Sequence, residues 1–326
     1  MVTDVGGMEF ARTIKLAPRT PARLGGVMRA ETEIDYAERI TRVLLHIQGN
    51  LDAPLDLERL AAIAHFSPFH FHRVFSGMVG ESVKRHVRRL RLERAAMRLK
   101  HARQPVTRIA LEAGYQSHEA FTRAFRSLFG LSPTQFRAAT DPVARAGAQA
   151  RVRYAPDGSV AGFASIGPND VPVDVEIREL APMRAAFIRH VGPYDEVGST
   201  WEQLIDWVGR ECSFGPRLRF FGACWDDPEV TPARSLRYDA CVTVDDDVTA
   251  AGAVGVQRVA GGRFAVALHE GPYRGLAASY AKLCGLWFPA SGERLGDPPS
   301  LEFYLDDPES TPPEELLTEV WMRIAD

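Results

Sequence analysis

The chain reads as a multi-domain protein: an all-α double helix-turn-helix domain, followed by an α+β domain of two duplicated β-α-β modules. Three observations carry that expectation. The length of 326 residues suits about two domains at roughly 150 residues each. The net charge of −3 conceals a split. Residues 33–140 hold 17 Lys/Arg against 10 Asp/Glu, whereas residues 171–326 hold 14 against 26. Each half also repeats itself, the first at an offset of 50 residues and the second at 79 to 80.

Composition excludes several classes. With 45% hydrophobic and 25% charged residues, a largely disordered chain is ruled out. No apolar run approaches the ~18 residues of a membrane helix, so no membrane partner is expected. The N-terminus lacks an apolar signal core, which points to the cytoplasm. The four cysteines include no Cys-x-x-Cys pair, so no zinc ribbon, dithiol motif or cofactor is expected.

Residues 1–32 read as a poorly ordered leader. From Ile34 onward, Ile40, Val43, Leu44 and Ile47 fall at helical spacing, and Asn50 to Pro54 ends that helix. A second helix is expected from about Leu55 to Ala64, with Leu57, Leu60, Ala61 and Ala64 on one face. Ser67 then stands as an N-cap, with Pro68 at the first helical position. Phe71, Val74 and Phe75 form the buried stripe of the helix that follows.

Fifty residues on, Ser117, Phe121, Arg123, Phe125, Gly130 and Ser132 repeat Ser67, Phe71, Arg73, Phe75, Gly80 and Ser82. The half therefore holds two helix-turn-helix units. Phe71, Phe75, Phe121, Phe125 and Phe129 are expected in the core. Between the copies lies a basic run containing Lys84, Arg85, Arg88, Arg89, Arg91, Arg94, Arg98, Lys100 and Arg103. Leu90, Ala95, Met97 and Leu99 are its candidate buried positions. About 20 helical residues span about 30 Å, close to the ~34 Å between successive major grooves on one DNA face. The charge and the length suit a polyanion-binding rod. His65, His70 and His72 do not make a metal site, because residues two apart on a helix diverge.

Residues 34–140 resemble the DNA-binding domain of the AraC/XylS family of bacterial transcription regulators. The resemblance rests on the segment from Arg108 to Arg137 and on Phe69-His-Phe-His-Arg-Val-Phe75. It implies that both recognition helices enter successive major grooves of double-stranded DNA. The base-facing positions then correspond to Phe69, His72 and Arg73 in the first helix, with His70 at the backbone. In the second they correspond to His118, Glu119, Thr122 and Arg123. Arg can donate two bonds to guanine, Glu can accept from cytosine, and Phe can pack on a thymine methyl. Ser67 and Ser117 would present helix N-termini to phosphates.

Residues 141–170, rich in Ala, Gly, Arg and Pro, read as a linker. Beyond them His190-Val-Gly-Pro-Tyr194 recurs as His269-Glu-Gly-Pro-Tyr273, and Asp226-Asp-Pro-Glu229 recurs as Asp306-Asp-Pro-Glu309. Each Gly-Pro-Tyr follows an apolar run, Ala185–Ile188 or Phe264–Leu268, and precedes a helical stretch, Val197–Val208 or Leu276–Leu286. Each copy closes in a strand-like run, Leu236–Val244 or Leu317–Ile324. A cleft between two such modules suits a small ligand.

Residues 172–326 resemble the GyrI-like effector-binding domain of multidrug-sensing regulators. The two Gly-Pro-Tyr turns, Leu286-Trp-Phe-Pro-Ala-Ser-Gly292 and the tail from Asp306 to Ile324 carry the match. Within that tail, Glu319 shares a strand face with Leu317 and Trp321, and a carboxylate among apolar neighbours needs a partner. The resemblance implies an aromatic pocket in which such a glutamate meets cationic, lipophilic effectors. Tyr273, Trp287, Phe288, Tyr304 and Trp321 are the candidate walls, and Asp239 is the counterpart of Glu319 at an offset of 80. The expectation is a non-enzymatic regulator that binds DNA, a small-molecule effector and RNA polymerase. The alternative is hydrolysis of a reactive small molecule by Glu319 and Tyr304.

Overall fold

The computed structural model describes residues 26–139, 152–154, 160–163, 174–211, 218–228, 230–297 and 299–326. Two compact units divide the chain, one holding Ile34–Ile166 and the other made up mainly of Gly167–Asp326. Most of the expected leader and linker lies outside the described residues.

The first unit is helical: α1 (Gly26–Gly49), α2 (Leu57–Ile63), α3 (Pro68–Val79), α4 (Val83–His101), α5 (Val106–Glu112), α6 (His118–Phe129) and α7 (Pro133–Ala138). Helix α1 begins inside the segment read as a leader. The 50-residue repeat is visible in the caps. Ser67 and Ser117 accept from the third helical amide, His70 N at 3.3 Å and Ala120 N at 3.1 Å. Ser82 and Ser132 do the same for α4 and α7. Each such cap is worth about 1 kcal/mol. Phe71, Phe75, Phe121, Phe125 and Phe129 are all buried, and the three pairs at i and i+4 meet at ring-centroid distances of 5.7, 5.5 and 4.5 Å.

Gly114 turns the chain between α5 and α6 at φ +84, and a Cβ there would lie 3.0 Å from Arg91 Nη1. That guanidinium is already committed, donating from Nε to Leu51 O at 2.9 Å. Gly114→Ala is therefore expected to lower the unfolding free energy by about 1–2 kcal/mol through the left-handed backbone alone, as read in a thermal melt of the full chain.

Part of the expected linker is ordered as a two-stranded antiparallel ladder of β1 (Val152–Tyr154) and β2 (Val160–Phe163). The second unit contains β3 (Val175–Leu180), β4 (Met183–Val191), α8 (Gly198–Glu211), β5 (Phe220–Cys224) and β6 (Arg237–Thr243). It continues with β7 (Gly255–Val259), β8 (Gly262–Glu270), α9 (Leu276–Lys282), α10 (Phe288–Ser291), β9 (Ser300–Tyr304) and β10 (Leu317–Arg323). A π-helical turn, Leu283–Trp287, joins α9 to α10. The strands form one antiparallel sheet in the order β3-β8-β10-β9-β5-β6-β4-β7. This order is unchanged when read from the other end with β3 to β6 exchanged for β7 to β10. Each half contributes β-β-α-β-β, two strands more than the sequence reading supplied. The first strand of each half pairs with the other half, β3 with β8 and β7 with β4.

The repeated His-x-Gly-Pro-Tyr turns lock strand to helix in the same way. His190 places Nε2 3.0 Å from Pro193 O and Nδ1 3.4 Å from Thr200 Oγ1. His269 places Nε2 3.2 Å from Pro272 O and Nδ1 2.9 Å from Ser279 Oγ. One sheet face is covered by helices. There α8 lays Leu204, Trp207 and Val208 against Ala186, Ile188, Ala240 and Val242. On the opposite face Phe221, Phe264, Phe303 and Trp321 pack on one another.

Candidate functional site

In the helical unit the two recognition helices differ. On α6, His118, Glu119 and Arg123 are exposed on one face while Phe121, Phe125 and Phe129 point to the core. Thr122 is half-buried, with its hydroxyl oxygen shielded. Glu119 folds back on its own helix. Bonds from its own backbone N–H and the Ser117 hydroxyl hold its carboxyl below the usual range. On α3, the matching Phe69, His70, His72 and Arg73 are all buried. The Arg73 guanidinium lies over the Phe69 ring at 4.3 Å, and Ser76 Oγ lies 3.3 Å from His72 Nε2.

The basic run is only partly a polyanion surface. Arg89 forks onto Glu81 at 2.8 Å and reaches Glu93 at 2.8 Å. Arg91 holds Leu51 O, Arg94 pairs with Asp52, Arg98 pairs with Glu112, and Lys100 reaches Ala139 O. These side chains fasten loops of the same unit to α4. Lys84, Arg85, Arg88 and Arg103 remain exposed. Of the expected buried positions on this helix, Ala95 and Leu99 are buried, but Met97 is 61% exposed. Val83, Val87, Leu92, Ala95, Ala96 and Leu99 form the buried apolar face of α4, and the arginine stems add to its packing.

The second unit separates the six residues expected to share one pocket. In an antiparallel sheet, adjacent residues of a strand face opposite sides. Glu319 pairs with Phe303, and Tyr304 pairs with Thr318. Glu319 and Trp321 therefore lie on the face without helices, and Tyr304 on the helix-covered face. Tyr273 joins Tyr304 there, with ring centroids 5.4 Å apart. Phe288 is fully buried, and Trp287 packs against it at 5.0 Å. Strand β10 runs between β8 and β9, so Glu319 does not sit on a sheet edge. It is buried, accepts from Arg178 Nη1 at 2.7 Å and accepts from Trp321 Nε1 at 3.0 Å. Arg178, which also pairs with Glu176 at 2.7 Å, is thus its counter-ion. Asp239 resembles Glu319: Arg189 grips it through two bonds of 2.7 and 2.8 Å, and Trp225 Nε1 donates at 2.8 Å.

The carboxylate among aromatic groups is Glu302, which the sequence reading passed over. It is buried on the helix-covered face, accepting from Tyr280 at 2.8 Å and from Tyr304 at 2.9 Å. The proton order continues outward. Tyr304 gives its proton to Glu302, so the Tyr238 hydroxyl, 2.8 Å away, donates to Tyr304. Trp201 Nε1 in turn donates to Tyr238 at 3.2 Å. Burial first, and then the Glu302 charge, push the Tyr238 and Tyr304 phenols well up. Burial and nearby carboxylates push Tyr273 up to about 12. All three phenols stay protonated as donors at neutral pH. Among the described residues no Lys, Arg or His pairs with Glu302.

Gly222 makes this cluster possible. It pairs with Glu302 across the centre of the sheet, and a Cβ there would lie 2.6 Å from Tyr238 Cε2. The absence of a side chain lets the Tyr238 ring lie across β5 to reach Tyr304. One signal was present in the sequence: Glu302 and Tyr304 stand two apart in a short apolar run, the spacing that puts both on one strand face.

Residues 60–139 match a helix-turn-helix domain family, and residues 173–325 match the family described as the GyrI-like small molecule binding domain. The transcriptional regulator Rob of Salmonella typhimurium is 33% identical over 108 residues, 33% of this chain and 37% of its own. The right origin-binding protein of Escherichia coli K12 is 35% identical over 104 residues, 32% of this chain and 36% of its own. The chain thus spans little more than a third of the length of these two relatives. The multiple antibiotic resistance protein MarA of Salmonella typhimurium is 30% identical over 98 residues, 30% of this chain and 77% of its own. The cover of MarA by the helical half, together with the match of the second half, places this chain in the AraC family of transcription regulators, with a GyrI-like domain following its DNA-binding domain.

Proposed function

We propose that the protein is a one-component regulator whose GyrI-like domain senses a lipophilic cation through Glu302. One observation carries this reading: a buried carboxylate, held by two phenol donors, has no cationic partner among the described residues. Tyr273, Tyr304 and Trp201 stand around it. A charge buried without a counter-ion is costly, and a ligand cation would relieve that cost while the rings add cation–π attraction. Glu319 does not serve, because Arg178 already occupies it. Residues 171–326 are read as this sensor and as two duplicated modules, with Glu302 near the axis between them.

Residues 33–140 are read as the DNA reader. His118, Glu119 and Arg123 on α6 are its first contacts, with Ser117 at a phosphate. Thr122 would need to turn its hydroxyl outward. Reading by Phe69, His70, His72 and Arg73, with Ser67 at a phosphate, requires α3 to uncover these side chains. RNA polymerase is the further partner of an activator of this kind, and such a protein works in the cytoplasm with the DNA. A second reading, hydrolysis at the same cluster, is favoured by the Glu302–Tyr304 pair, since a carboxylate and a bonded phenol can move a proton. Turnover of a ligand that is lost in Glu302→Gln would decide for it.

The direct test of DNA reading is selection of bound fragments from the source genome with the full chain. The expected outcome is a small set of related sequences. Arg123→Ala should weaken the best of them by about 1–3 kcal/mol and relax preference at one position. Recovery of unrelated fragments at equal affinity would contradict the proposal.

A further inference from the structure

The sheet face without helices carries a row of arginines over aromatic rings. Arg178 holds Glu319, Arg189 holds Asp239 and Arg237 holds Asp226. Arg323 donates to Gly261 O at 2.8 Å. Arg219 differs. Its backbone is pinned by Thr243, whose Oγ1 accepts from Arg219 N at 2.9 Å. Its guanidinium lies over the Phe303 ring at 5.1 Å, and that ring stacks on Phe221 at 5.1 Å. The only polar contact of its head among the described residues is Nη2 to Met183 Sδ at 3.3 Å, and a thioether is a weak acceptor. Arg219 is exposed, its guanidinium resting on the ring, and Glu319 acts on it only through its charge.

An open surface depression of about 320 Å³ lies against this guanidinium, lined also by Met183, Arg184, Thr243 and Val244. Asp245 and Asp246 line it too, and both give main-chain carbonyls to Arg184. Their carboxylates disfavour a dianion. Met183 and Val244 offer an apolar wall.

We infer that Arg219 and this depression form a second ligand site, which takes a small monocarboxylate with an apolar body. The guanidinium fork matches a carboxylate through two parallel bonds. This site lies on the opposite sheet face from Glu302, so the inference is independent of the cation-sensing reading.

The test is equilibrium dialysis of the full chain at pH 7 against benzoate, benzyl alcohol and inorganic phosphate. Benzoate is expected to bind saturably at one equivalent per chain, at least tenfold tighter than the alcohol or phosphate. Arg219→Gln should weaken benzoate at least tenfold and Arg219→Lys at least threefold, while Glu302→Gln leaves it unchanged. No saturable benzoate binding, equal binding of the alcohol, tighter binding of phosphate or unchanged binding in Arg219→Gln would each overturn the assignment.

Discussion

Glu302→Gln is expected to weaken the binding of tetraphenylphosphonium by at least a hundredfold, about 2.8 kcal/mol. The substitution keeps the shape of the side chain and one acceptor oxygen, while the amide NH2 takes the place of the other oxygen and donates to the phenol there. It removes the charge and reverses one hydrogen bond. In a buried site that charge is worth far more than at the surface. The unliganded variant should be no less stable than the parent, because the carboxylate has no cation to lose. Glu319→Gln should bind the probe as the parent does, since its charge faces Arg178 on the other side of the sheet. Quenching of Trp201, whose ring lies 5.6 Å from Tyr304, reports the binding directly.

Glu81→Ala is expected to lower the stability of the helical unit by roughly 3–5 kcal/mol, the cost of leaving a buried charge without its partner. Glu81 accepts from Arg89 and from His86 Nδ1, each at 2.8 Å, with all three residues buried. Arg89 retains Glu93 at 2.8 Å, which places the loss toward the lower end. Burial alone would push the Glu81 carboxyl up, but the bonds from His86 and Arg89 outweigh it and hold the carboxyl below its usual value. A lowered carboxyl contributes stability that is present above the unfolded value of about 4 and lost as pH falls through the folded one. Parent stability should therefore decline below about pH 4, and the Ala variant should decline less.

Local signals made the helical half legible. Ser67, Ser117, Ser82 and Ser132 announce helix starts through spacing alone, and the phenylalanines at i and i+4 announce the buried face. The use of the α4 arginines was not legible, because their partners are remote in sequence. Arg94 meets Asp52 across 42 residues, and Arg91 meets Leu51 O across 40. A run of charge shows sign and length, but not which heads are spent on loops. In the second half, the long strands carried clear apolar runs. The edge strands β3 and β7 did not, because they carry charged residues such as Glu176, Arg178 and Arg258. For Glu319 the sequence argument correctly demanded a partner. That partner is Arg178, 141 residues away, a pairing that only the β3–β8 and β8–β10 ladders bring about. Glu302 stands in the short strand β9, whose five residues carry a weaker apolar signal than the seven of β10.

The most direct measurement of the central claim is the affinity of the full chain for its selected DNA fragment, with and without saturating tetraphenylphosphonium. Binding of effector and of DNA must alter each other by the same factor. A change of about 5- to 150-fold in DNA affinity is predicted, absent in Glu302→Gln and retained in Glu319→Gln. An affinity that the cation leaves unchanged, or a change that survives in Glu302→Gln, would contradict the account.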